Sequence, residues 1–217
     1  MKQRIPKTLN ALSQILYTFS LVFLGIGLFS LGWAVWPVPS DGVQLTIPAG
    51  PLAGAPPEQP LVSLTTYSLE ISWPRWMRRG EAEAIHLRLT DLDHTPLAAE
   101  EMWGAQIVLV EPALYPLHID PPGGVQANLG DDQELLLTWT VTGQARGSYP
   151  GKMYVSFGFF EAELGELLPV PVAVVDLHIQ VIELWGLEPG LVIWLGFVSL
   201  VLWGALFVLG RAAAIRT

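Results

Sequence analysis

The 217-residue chain contains no cysteine. That excludes disulfides, thiolate metal sites, thioether-attached haem, cysteine-ligated iron–sulfur clusters and cysteine nucleophiles. Charged residues are scarce, at 14% of the chain. Histidine is limited to His86, His94, His118 and His178, none in a metal-ligand spacing such as HxxxH. No GxSxG elbow is present, and no glycine-rich phosphate loop leads into a helix. Gly123–Gly124 follows two prolines and reads as a turn. No residue pattern points to an enzyme, and no cofactor is expected.

The most informative absence concerns charge of one sign. All 20 acidic residues lie between Asp41 and Glu188. Outside that span stand only Lys2, Arg4, Lys7, Arg211 and Arg216. The acidic middle holds six basic residues, so its balance is −14 against the chain's net −9. Such acidity disfavours a nucleic-acid partner.

Between each basic tail and the acidic middle lies a charge-free apolar run. The first extends from Thr8 to Ser40 and the second from Pro189 to Gly210. Each supplies the roughly 20 apolar residues that a helix needs to cross a bilayer. Basic residues favour the cytoplasmic flanks of spans. The expected topology is therefore a basic tail at 1–8, a first span at 9–36, an extracytoplasmic middle, a second span at 187–210 and a second tail at 211–217. Both termini would be cytoplasmic, and the expected location is the plasma membrane. A cleaved signal peptide would have an apolar region of 7–15 residues and a small-residue cleavage site. The first run is longer than that, and Trp33 to Pro37 makes a poor cleavage site, so an anchor is expected.

Residues 37–60 contain seven prolines and three glycines. Proline removes the backbone donor that ladders need. An extended connector follows, with room for a short edge strand at Val43–Ile47. From 61 to 184 the chain alternates in strand fashion. Leu64–Trp73, Glu81–Thr90, Gln106–Glu111, Leu117–Asp120, Glu134–Thr142, Lys152–Phe160 and Val172–Ile182 are the expected strands, separated by Gly and Pro turns. In Glu134–Thr142, Leu135, Leu137, Trp139 and Val141 share one face. The fold class expected is membrane-anchored and all-β: two transmembrane helices flanking an immunoglobulin-like sandwich of about seven strands. Trp139 or Trp103 would be the buried tryptophan.

Strand parity gives the sandwich an orientation. The last strand runs almost directly into the second span, so it must end near the membrane. Seven antiparallel strands then place the loop Trp73–Gly80 at the membrane-facing pole, with Arg146 and Lys152. They place Asp91, Asp93, Asp120, Asp131, Asp132 and Glu161 at the other. Trp at the headgroup level and Arg beside lipid phosphate are favourable. Trp73, Arg75, Trp76, Arg78 and Arg79 are thus candidate membrane-surface contacts. The competing reading is an Arg-rich turn whose tryptophans pack on the sheet. Asp91, Asp93, Asp131 and Asp132 form a weak Ca²⁺ candidate, against the ordinary reading of solvated loops.

On a helical wheel, Gln14, Thr18, Gly25 and Gly32 share one face of the first span. Gly196, Ser199 and Gly210 share a face of the second. Small residues let membrane helices approach closely, so these stripes are candidate packing faces, for each other or for a neighbour. The spans carry no internal ionisable group, which argues against a proton relay or ion pathway. The expected role is a non-enzymatic accessory or scaffolding subunit of a larger membrane complex. Its partners would be the lipid bilayer and other membrane-protein subunits. The alternative is a membrane-anchored sensor or a ligand- or Ca²⁺-binding adhesion-type module, against which the short tails count.

Overall fold

A computed structural model describes residues 7–52, 61–63, 65–93, 107–128, 134–161 and 166–215. The chain divides into two compact units. One comprises residues 38–182, and the other residues 1–37 with 183–217.

The first unit is built from strands. Along the chain these are β1 (Ser40–Ile47), β2 (Gly50–Pro51), β3 (Val62–Ser63), β4 (Tyr67–Pro74), β5 (Trp76–Arg78) and β6 (Ala82–Asp91). Then come β7 (Ile107–Ala113), β8 (His118–Asp120), β9 (Val125–Asn128), β10 (Glu134–Thr142), β11 (Gly147–Glu161) and β12 (Glu166–Ile182). Among the described residues, one sheet has the order β1-β4-β6-β10-β8 and the other β5-β12-β11-β7-β9. Strands β2 and β3 form a small separate ladder. Leaving aside β1, β5 and β9, the distribution is that of an immunoglobulin-like sandwich, with four strands in one sheet and three in the other.

Alternation decides what fills the space between the sheets. Leu69 and Ile71 of β4, Ile85, Leu87 and Leu89 of β6, and Trp139 and Val141 of β10 are fully buried. They meet Val108, Val110, Met153, Val155, Phe157, Leu177 and Ile179 in one core. The phenol ring of Tyr67 stands edge-on to Phe157 at 5.2 Å between centroids. Each fully buried aliphatic or aromatic side chain contributes about 1.5–3 kcal/mol relative to exposure. Trp139 is the buried tryptophan expected, whereas Trp103 lies outside the described residues.

The strand β12 changes phase partway along. Val170 is buried before the change, and Val175, Leu177 and Ile179 after it. The register against β11 shifts between Val155 and Ser156. One extra residue in a strand flips every later side chain to the other face. That lets Pro169 and Pro171 sit on the solvent side of the same strand whose later residues feed the core.

The proline-rich stretch is less uniform than a plain connector. Its first part is β1, paired in antiparallel fashion with β4 from Ser40↔Pro74 to Ile47↔Tyr67. As an edge strand it tolerates its proline-rich surroundings. Residues 53–60 lie outside the described residues.

The second unit is a pair of helices, α1 (Lys7–Val35) and α2 (Pro189–Ile215). Proline at the first position of α2 is pre-set for helix, and Val192 N–H donates to the Glu188 carbonyl at 3.1 Å. Residues Gln14–Val35 and Pro189–Ala212 are long and apolar enough to cross a membrane, with mean hydropathy 2.0 and 2.5.

Candidate functional site

The two ends of the sandwich differ in chemistry. Ser40 and Ile182 are the sandwich's strand termini nearest in sequence to the two helices, and they lie at the same end. The main chain of Arg75 joins them: its N–H donates to the Pro39 carbonyl at 2.9 Å, and its carbonyl accepts from Gln180 N–H at 3.1 Å. Here β4 leaves one sheet, and after Arg75 the chain continues as β5, parallel to the last residues of β12.

That crossing decides the fate of the five candidate surface residues. In β5, Met77 is fully buried and Arg78 is 5% exposed. The Arg78 guanidinium bonds Glu81 at 3.0 Å and lies 5.4 Å from the centre of the Trp76 ring. Burial, followed by the charge of Glu81, holds the Glu83 carboxyl above its ordinary range, with Arg78 acting in the opposite direction. Arg78 is therefore matched by carboxylates within the sandwich. Trp73 belongs to the core at 8% exposure. Trp73 and Arg78 are thus corrected: packing against the opposite sheet, and pairing with Glu81, remove them from the surface. Arg75 is exposed, while Trp76 and Arg79 are half-buried. Arg79 uses Nε on the Gln144 carbonyl at 2.9 Å. A sequence reading of residues 73–80 as one loop could not show this, because a three-residue strand has too few positions to display alternation.

At the opposite end, Asp91 is 3% exposed. Its Oδ1 accepts from the Thr65 hydroxyl and from Asp93 N–H at 2.9 Å. Asp93 Oδ2 accepts from Thr66 N–H at 2.7 Å. The carboxylates therefore tie the start of β4 to the end of β6. The Tyr67 phenol is pushed up to about 12, first by burial and then by the Asp91 charge. Asp131 and Asp132 lie outside the described residues. Among the described residues, no three His, Asp or Glu side chains are grouped to hold a metal ion.

Two histidines lie on sheet surfaces. His86 Nδ1 is 3.0 Å from Thr138 Oγ1, and His178 Nε2 is 2.9 Å from Ser148 Oγ. Between the edges of β1 and β12 is a groove of about 330 Å³, lined by Leu45, Ile47, Leu52, Val172 and several prolines. Among the described residues, no titratable side chain lines it.

The helix pair packs through small residues. Ser20, Gly27 and Ser30 of α1 are buried, as are Gly196, Ser199 and Gly210 of α2. A Cβ on Gly27 would meet Leu200 at 2.8 Å and the Gly196 carbonyl at 3.1 Å, and one on Gly196 would meet Leu31 at 2.8 Å. Gly210 approaches Leu16 and Tyr17, and Tyr17 stands edge-on to Phe207 at 5.9 Å. The candidates Gly196, Ser199 and Gly210 thus lie against α1. Gln14, Thr18, Gly25 and Gly32 are exposed, and open space surrounds the two glycines. They do not meet α2. Gly27, which the wheel did not single out, takes that place. The available signal was the set of small residues Ser20, Gly27 and Ser30 at steps of seven and three, with Gly196 and Ser199 three apart on the other helix.

Neither a protein-family model nor a curated protein matches the chain. Solved structures give partial likenesses. The CARDB domain of a Pyrococcus furiosus protein, in complex with di-metal ions, is 16% identical, with a TM-score of 0.31 over 51% of this chain and 87% of that one. WR4, a Caenorhabditis elegans MSP family member, is 5% identical, with a TM-score of 0.31 over 50% and 94%. AggA, the major subunit of Escherichia coli aggregative adherence fimbriae type I, is 8% identical, with a TM-score of 0.29 over 66% and 96%. Likenesses at this level carry no functional weight, and the sandwich is defined by its own strand pairing.

Proposed function

We propose that the chain is a two-span membrane protein that presents its sandwich outside the cytoplasm as an interaction module. It acts as a non-enzymatic accessory or scaffolding subunit of a larger membrane complex. The observation that carries this reading is the inverted side-chain distribution of the helix pair. Its seam sets buried Ser and Gly against Leu31 and Leu200, while the larger Phe19, Leu21, Leu28, Phe29, Trp194, Val201 and Val208 are exposed. Water would drive those large apolar groups inward. Lipid leaves close backbone approach as the organising force. The distribution of charge supports the same topology, with basic tails on the cytoplasmic side and the acidic middle on the other.

The interaction surfaces differ by unit. On the sandwich, Arg75, Trp76 and Arg79 are the remaining candidates for contact with a lipid surface. On α1, Gln14, Thr18, Gly25 and Gly32 form a polar and small face turned away from α2, suited to a neighbouring subunit's helix. Purification in mild detergent tests the assignment. A stoichiometric membrane-protein partner is expected. A free monomer that binds a soluble ligand would instead favour a sensor or ligand-binding module.

A further inference from the structure

The linker before α2 contains an unusual turn. Leu187 N–H donates to the Leu184 carbonyl at 2.9 Å, so Trp185 and Gly186 occupy the two central positions. Both have left-handed backbones, with φ of 54° and 74°. Gly186 adopts this at no steric cost, but a bulky residue with φ above zero is a strained outlier. Trp185 is the non-glycine residue at positive φ among those described. The residue is nevertheless 57% exposed, and its ring leans on Phe29 of α1 at 5.9 Å between centroids. A strained backbone that holds a large indole outward needs a reason that burial does not supply.

The rest of that end of the helix pair supplies one. Trp36 is 66% exposed and Trp194 is 70% exposed. The helices run antiparallel with Leu31 against Gly196, so Trp194 stands level with Trp33. At 1.5 Å per residue, Phe29 to Trp36 spans only about 10 Å along the axis. Four tryptophans thus fall in one narrow band. From Gln14 to Val35 the helix covers about 32 Å, close to the thickness of a bilayer hydrocarbon core. Tryptophan, with an apolar body and one polar N–H, is favoured at the boundary between headgroups and acyl chains.

We infer that Trp36, Trp185 and Trp194 form the interfacial anchor of the helix pair, and that the left-handed Trp185–Gly186 turn aims its indole into the lipid headgroup boundary. The inference rests on the membrane-spanning reading above. It adds which residues of the helix unit meet the lipid surface, beside the sandwich candidates Arg75, Trp76 and Arg79.

The absence of cysteine gives a clean test. Single-cysteine variants Trp185→Cys, Trp194→Cys, Leu202→Cys and Tyr115→Cys of the full chain are nitroxide-labelled and reconstituted in phosphatidylcholine vesicles. Collision rates with oxygen and with a water-soluble nickel chelate then report depth. Leu202, 41% exposed near the middle of α2, serves as the lipid reference, and Tyr115, 92% exposed, as the aqueous one. The expected nickel collision rate at position 185 is several-fold below that at 115 and several-fold above that at 202. If the change disturbs the strained turn, the label at 194, on a regular helix, gives the reading. Position 185 as wet as 115, or as dry as 202, overturns the anchor while the spans stand. A wet Leu202 instead overturns the spanning reading itself.

Discussion

The sandwich and the helix pair bury opposite kinds of residue. Between the sheets lie Trp139, Phe157, Leu69, Ile71 and Met153, and the outer faces carry pairs such as Arg88–Glu134 and Lys152–Asp176. Between the helices lie Ser20, Gly27, Ser30, Gly196 and Ser199, and the outer faces carry Phe, Leu and Trp. On the membrane-spanning reading proposed above, the solvent outside each unit accounts for the difference. Water expels large apolar surface, so a sheet packs its largest side chains inward. A lipid environment has no such preference, and two helices then gain most from close backbone contact.

The comparison is broken most forcefully at Trp139. Trp139→Ala should destabilise the sandwich by about 3–5 kcal/mol, because the space it vacates cannot collapse. Chemical denaturation followed by a sheet-specific signal checks this, and the helix pair should retain its helicity.

Alkaline pH separates the units next. Tyr67 ionises less readily in the folded sandwich than in the unfolded chain, so its contribution is fully present below pH 10. It is lost as pH rises from 10 to about 12. The loss should reach roughly 2–3 kcal/mol by pH 12, and Tyr67→Phe should remove it. Denaturation midpoints of both proteins at pH 9 and pH 11.5 would show whether the gap narrows.

Glycine substitutions sharpen the helical half. Gly27→Leu should overpack the seam and cost about 1–3 kcal/mol, seen as a lower melting temperature in mild detergent. Gly25→Leu has open space and should leave the helix pair intact. If Gly25→Leu nevertheless displaces a co-purifying protein, that face of α1 meets a neighbour. The smallest effect belongs to the sheet surface. Arg88 and Glu134 approach to 2.6 Å, but both are solvent-exposed. Arg88→Ala should leave the melting temperature within experimental error, as exposed pairs usually do.

Much of the sandwich was legible because a half-buried strand writes its environment in every second residue. Glu134–Thr142 shows this: Leu135, Trp139 and Val141 are buried and Leu136 is exposed. Strands β5 and β9, of three and four residues, were not legible, since such lengths carry little period; the equally short β8 was expected only as part of Leu117–Asp120. The same shortness hid the burial of Arg78, which a charged tripeptide cannot announce. On α1 the wheel found the stripe of Gln14, Thr18, Gly25 and Gly32, which faces away from α2, and did not find Gly27, which packs against it. Gly25 and Gly27 are two residues apart, a turn of about 200°, so they lie on nearly opposite faces. Composition alone cannot choose between them. The matching seam on α2 can, because Leu31 and Leu200 must each find a glycine opposite.

The central claim is that the two helices cross a membrane and leave the sandwich on the far side from both tails. The cysteine-free chain allows it to be tested directly in intact cells with a membrane-impermeant maleimide. Tyr115→Cys, on the sandwich surface, should label without permeabilisation. Ala214→Cys, at the end of α2, should label only after the membrane is opened. Equal labelling of the two positions under both conditions would place them in one compartment and contradict the account.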